Sequence, residues 1–199
     1  MPISFPRYAK TMFAQRELTM TTTQTGIWVS DPVAYRENLF NLLGDQNPFD
    51  VLAQTESTLG ATVGKNSPAV LRSRPFAGKW TPNEIIGHLT DSEWVYGYRL
   101  RLILCEDNPV IIGINQDSWV AGQRHNDREP SELLEIFRTT RRFNLAVWRR
   151  ISTADLERTG QHNERGPESL GVMLKLIAGH DLSHLDQIAR YIEAITRRA

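Results

Sequence analysis

The chain has 199 residues, enough for one domain with a sizeable core, and 40% of them are hydrophobic. Lysine plus arginine and aspartate plus glutamate both number 23, so the formal net charge is zero and no global basic field draws in nucleic acid. A single cysteine, Cys105, excludes a disulfide framework and a Cys-rich zinc knuckle, and no run approaches the roughly 18 apolar residues of a membrane span.

Residues 1–30 read as an N-terminal extension, expected to be poorly ordered, and the domain proper as 31–199. The first twenty residues lack the continuous apolar core of a secretory signal. Their excess of basic over acidic residues leaves an organellar transit segment as an alternative, and Met20 is an alternative start. The expected location is the cytoplasm. Pro and Gly then divide the chain into helical blocks, with no convincing period-2 strand between them. A short helix is predicted over Pro32 to Leu43, ending at Gly44. A longer one follows from about Pro48 to Val63, with Phe49, Leu52, Leu59 and Val63 on one side. Thr81-Pro82-Asn83-Glu84 combines a capping box with proline at the first helical position, so a helix begins there and runs to about Cys105. Cys105 follows the apolar run Leu102 to Leu104 and reads as a small buried residue rather than a catalytic thiol. Asp107 to Pro130 reads as a long connection, and loops of that length are often functional. A further helix is expected over Ser131 to Ile151, where Arg138, Arg141, Arg142, Arg149 and Arg150 read as its solvated side. The last runs from about Ser169 to Arg197. Four substantial helices with one long crossover predict an all-α, up-down four-helix bundle.

The last helix carries the main chemical signal. Met173, Ile177, His180, His184, Ile188, Tyr191 and Ile195 recur in steps of three and four, so both histidines fall in the stripe that should be buried. A buried polar group without a partner costs about 1–3 kcal/mol. Imidazoles one turn apart can share a ligand, and a metal ion satisfies both. His88 shares a face with Glu84, Ile85, Asp91, Ser92 and Val95; packing that helix on the last one brings a third imidazole to the pair. Three protein ligands leave coordination positions open, as catalytic sites do. A hydrogen-bonded core histidine is the plainer alternative for each. His125 and His162 lie in Gly- and Asn-containing connections and read as surface residues. His180-Asp181-Leu182-Ser183-His184 departs from the zinc-peptidase pattern, because Asp181 stands where that mechanism uses Glu, and that reading is rejected.

Gly78-Lys79-Trp80-Thr81, then His88-Leu89-Thr90-Asp91-Ser92-Glu93, then Gly179-His180-Asp181-Leu182-Ser183-His184-Leu185-Asp186-Gln187-Ile188 resemble the DinB/YfiT-like superfamily over roughly Pro48 to Arg197. The resemblance implies a four-helix bundle with a three-histidine metal site at His88, His180 and His184, and commonly a homodimer. It also implies either thiol S-transferase or isomerase chemistry with a low-molecular-weight thiol such as bacillithiol or mycothiol, or metal-dependent hydrolysis.

The leading expectation is a metal-dependent transferase joining a small-molecule thiol to an electrophile, the metal lowering the pKa of the thiol. The second is a hydrolase using metal-activated water, with Asp91 or Glu93 as base. The third is a stress-related bundle whose metal is structural or absent. Zinc or nickel leads as the divalent ion, with iron, copper or manganese as further fits. Asp91 and Asp181 are expected either to orient the ligating imidazoles or to be exposed helix carboxylates. Gln187 and Tyr191 line the mouth or pack. Trp80 and Trp119 read as core or loop anchors.

Overall fold

The computed structural model describes residues 32–198, so the extension expected over 1–30 lies outside the described residues. Seven helices follow in chain order: α1 (Pro32–Leu43), α2 (Pro48–Lys65), α3 (Pro68–Arg72), α4 (Pro82–Cys105), α5 (Gln116–Gly122), α6 (Pro130–Trp148) and α7 (Leu170–Thr196). Their starts follow local chemistry. At Thr81 the hydroxyl accepts the Glu84 amide and the Glu84 carboxylate accepts the Thr81 amide, which closes the expected capping box. Asn47, Ser67, Asn115 and Ser169 cap α2, α3, α5 and α7 in the same sense. Gly44 ends α1 with φ of 53°, a left-handed conformation that glycine adopts without a Cβ penalty.

The four long helices form the bundle. α2 packs on α6 and α7, and α4 packs on the same two, while α1 lies against α7. The long α4–α6 connection therefore joins helices that pack directly, and the chain passes between opposite corners from α2 to α4 and from α6 to α7. That connection is not bare loop: it holds β1 (Val110–Ile111), α5 and a 3-10 turn at His125–Asp127. No strand was expected, yet β1 pairs in parallel with β2 (Thr159–His162), which pairs antiparallel with β3 (Gly166–Ser169). Segments this short carry too few residues for a period-2 pattern to stand out; they exist because both edges of β2 find a partner.

The core is divided along the bundle axis. One apolar cluster includes Leu52, Leu100, Ile103, Trp148, Met173 and Ile177. The other includes Leu59, Ile85, Leu89, Phe137, Ile188 and Tyr191. Burying each such side chain contributes about 1.5–3 kcal/mol. Between the two lies a layer of buried polar groups contributed by every long helix: Thr55 from α2, His88 and Glu93 from α4, Arg141 from α6, His180 and Asp181 from α7. Two glycines bring neighbours close to this layer. A Cβ on Gly179 would lie 2.3 Å from the Leu39 carbonyl oxygen of α1, and one on Gly87 would lie 2.3 Å from the His125 ring. Among the described residues no helix is long and apolar enough to cross a membrane.

Candidate metal centre

His88 on α4 and His180 and His184 on α7 converge, and one nitrogen from each lies within 4.8 Å of the others. The ring centroids are 4.4 Å apart for His180 and His184, 4.9 Å for His88 and His184, and 5.1 Å for His88 and His180. His88 Nε2 and His180 Nε2 are separated by 3.1 Å. Tetrahedral coordination with metal–nitrogen bonds of about 2.0–2.1 Å requires donor atoms about 3.3 Å apart, so this edge fits a first-row dication. His88 and His180 are buried, and the Nδ1 atoms of both lack a hydrogen-bond partner.

The third imidazole has a defined tautomer. His184 Nδ1 lies 2.8 Å from Gln187 Oε1, an amide oxygen that can only accept, so Nδ1 carries the proton and Nε2 keeps its lone pair. The Gln187 amide in turn donates to the Tyr191 hydroxyl at 3.0 Å. Gln187 and Tyr191 thus stand behind His184 as support. All three imidazoles are pushed toward the neutral, ligating form. Burial, then His184 and His125, hold His88 well below the usual histidine range. Burial, then His184, His88 and Arg141, do the same for His180. Burial lowers His184, opposed by its Gln187 hydrogen bond and by Asp181. Trp80 covers the trio, its ring 4.9 Å from His88 and 6.5 Å from His184. Asp117 on α5 holds that indole by a hydrogen bond, and partial burial raises its carboxyl above the ordinary range. Trp119, by contrast, is 38% exposed.

The three carboxylates proposed for catalysis or orientation are buried and occupied elsewhere, which corrects the exposed-carboxylate alternative. Asp91 accepts from Gln123 Nε2 and pairs with His125 Nε2, both at 2.8 Å. Glu93 Oε1 pairs with Arg141 Nη2 at 2.9 Å, and Glu93 Oε2 accepts from Asn144 at 3.0 Å. Asp181 Oδ2 lies 2.7 Å from both Arg141 Nη1 and the Thr55 hydroxyl. None reaches the Nδ1 of a trio imidazole. The pairing of Asp91 with His125 also links α4 to the α4–α6 connection.

Four further expectations are corrected. His125 is 1% exposed, because its ring packs on the bare backbone at Gly87 and pairs with Asp91. His162 is 3% exposed, since β2 turns it inward. Arg141 is buried among Glu93, Asp181 and the Leu52 carbonyl and does not share the solvated face of α6. Cys105, the last residue of α4, is exposed. The only local hint of these inward polar groups was their spacing from other candidates: Asp91 and His88 lie one turn apart, and Asp181 adjoins His180.

Residues 52–188 match the family model of the DinB superfamily. A provisionally named metal-dependent hydrolase of Oceanobacillus iheyensis is 33% identical over 113 residues, 56% of this chain and 64% of that protein. A Bacillus cereus relative with the same provisional description is 27% identical over 112 residues, again 56% and 64%. The chain thus spans 64% of the length of these relatives. The solved structure of YfiT from Bacillus subtilis superposes with a TM-score of 0.67 at 19% identity, covering 94% of this chain and 93% of that one. That protein is described, provisionally, as a metal-dependent hydrolase with an unusual four-helix bundle topology. At this identity the likeness establishes the all-α bundle fold.

Proposed function

The chain belongs to the DinB superfamily, and we propose that it is a metal-dependent hydrolase of a small molecule, with His88, His180 and His184 as the protein ligands of a zinc or nickel ion. The observation that carries this reading is the convergence of three neutral imidazoles, two of them with a 3.1 Å donor edge and no other use for their buried nitrogens. The names of the relatives support it. A divalent cation held there would supply Lewis acidity and activate a nucleophile, water for hydrolysis or a thiol for transfer.

The protein's own residues prepare the site. Burial keeps the imidazoles deprotonated at neutral pH, so the lone pairs are available. Gln187 selects the His184 tautomer. Trp80 shields one side of the trio from water. Asp181 favours positive charge at His184, opposing the Arg141 guanidinium that acts on His180.

Thiol transfer is the second reading, and one observation favours it. Asp91, Glu93 and Asp181 are all engaged elsewhere, whereas a thiol ionised by a metal needs no carboxylate base. A homodimer in the cytoplasm completes the proposal; exposed Trp94 and Tyr98 on α4 and Phe143 on α6 offer an apolar face for a second copy. Elemental analysis of untagged protein is the first test, with one equivalent of metal expected. Ester and amide panels with and without chelator follow, and then the same panels with a small thiol and an electrophile. Chelator-sensitive hydrolysis without thiol, lost in His184→Ala, supports the hydrolase. Conjugation that depends on added thiol supports transfer. Protein that binds no metal and melts identically in chelator overturns both.

A further inference from the structure

The β2–β3 hairpin buries a second set of polar groups that the metal centre does not use. Gly160, His162 and Glu168 form its buried face. His162 Nδ1 accepts the Glu164 amide at 3.1 Å, so the proton of the neutral ring sits on Nε2, and that buried N–H has no partner among the described residues. Burial, then Arg165 and Arg99, pull this histidine down to about 4, which keeps it neutral. Glu168 Oε2 holds Arg165, with Nε at 2.9 Å and Nη2 at 2.8 Å, while Oε1 is buried without a partner. Arg99, 5% exposed, gives Nη2 to the Ile112 carbonyl at 2.6 Å. Neither Arg99 nor Arg36 meets a carboxylate within ion-pair distance among the described residues.

Of these groups, Arg165 and Glu168 line a cavity of about 30 Å³, together with Val33, Tyr35, Arg36, Tyr96, Pro167 and Leu176. That volume holds about two water-sized groups, the bulk of the two oxygens of a carboxylate. Its charged lining is two guanidiniums, Arg36 and Arg165, against one carboxylate, Glu168, so positive charge is in excess. Burial raises the Tyr96 phenol, which therefore keeps its proton and can donate. The cavity also has a defined place. Leu176 precedes His180 by one turn of α7, about 6 Å along the axis, and the Tyr96 ring stands edge-on to the His180 ring at 6.4 Å.

We propose that this pocket binds the carboxylate of the substrate, so that the protein acts on small organic acids whose reacting group lies about one helical turn from the anionic end. The link to turnover rests on the hydrolase reading above; the binding itself does not. Arg36 and Arg165 would read a carboxylate through their N–H donors, and the Tyr96 hydroxyl adds a further one.

The test uses the full chain freed of metal, so that a carboxylate cannot register by coordination. Acetate, neutral acetamide and inorganic phosphate are each titrated while the amide NMR signals of Gly160 and Glu168 are followed. Acetate is expected to shift them saturably, with acetamide inactive and phosphate weaker. Arg165→Met should weaken acetate binding about tenfold or more, the loss of one charge-assisted contact. Arg36→Ala, on the cavity rim, should weaken it less and serves if Arg165→Met fails to fold. Equal responses to acetate and acetamide, unchanged affinity in the variants, or tighter binding of phosphate would each overturn the proposal. Acetate binding retained in a protein that hydrolyses no carboxylate-bearing ester or amide overturns the reaction reading and leaves the pocket standing.

Discussion

Asp181 and His180 are neighbours in the chain, yet they belong to polar clusters of opposite character. Asp181 enters a set in which Arg141 meets two carboxylates at 2.7 and 2.9 Å, the Leu52 carbonyl and the face of Phe137. His180 enters a set whose nearest polar contact is another imidazole nitrogen, with Nδ1 unpartnered in two of three rings. The charges of the first cluster are paired by groups the chain itself supplies, with Arg141 Nε alone left without a partner. The second is left open by the same chain, within the same layer and at similar burial. Burial of charge is thus a poor guide to function, and the convergence of several ligating nitrogens on one point a better one.

The sharpest way to break this comparison is to open the closed cluster. Arg141→Met leaves Glu93 and Asp181 buried without their partner and should cost about 3–5 kcal/mol in denaturant unfolding. A cost below about 1 kcal/mol would show that the cluster is not what ties α4, α6 and α7 together. Closing the open cluster is the converse. Zinc at 100 to 1,000 times its dissociation constant should stabilise the protein by about 2.7–4.1 kcal/mol. His184→Ala should abolish that gain, and a gain that persists in the variant would place the metal elsewhere.

A smaller effect tests how the open cluster is oriented. Gln187→Leu removes the acceptor that fixes the His184 tautomer and should lower metal affinity about 10–100-fold, measured by chelator competition. Gln187→Glu retains an acceptor and should recover most of the loss; if it binds as weakly as the leucine variant, Gln187 acts by packing alone. A separate effect is in pH. The imidazoles titrate below their ordinary value of about 6.5 in the folded protein. The unfolded chain therefore takes up protons first as pH falls. Metal-free stability should be full above 6.5 and decline below it, toward the folded values, by up to about 1.4 kcal/mol per pH unit for each ring kept neutral. A flat profile between pH 6.5 and 5 would mean that the rings protonate without penalty.

Most of the bundle was legible because its signals are local. The box at Thr81 and Glu84 and the three-and-four stripe of α7 depend on residues within a turn or two of each other, and both stand in the structure. The convergence of His88 on His180 needed only that two apolar faces meet. What escaped depends on partners far along the chain. Arg141 goes inward because Asp181, forty residues later, awaits it, and nothing in the arginine-rich run of α6 marks one position as different. His125 sits among polar turn residues, and its burial is decided by the missing side chain at Gly87 and the carboxylate of Asp91. Gln187 stood open between lining the mouth and packing, because spacing alone does not say whether an amide faces a substrate or the back of a ring.

Gly87 and Gly179 each stand immediately before a donor histidine, and each admits a neighbour onto bare backbone. In mechanical terms they are datum surfaces. The Leu39 carbonyl bears on one and the His125 ring on the other, so a slight roll of α4 or α7 about its own axis would drive backbone into a stop. An alanine at either position shims the joint: at Gly179 the stop is another helix's main chain, which has little room to yield. The dimension such a shim would disturb first is the spacing between His88 and His180. The clearance for one absent methyl group on each helix therefore sets the tolerance to which the donor atoms are held.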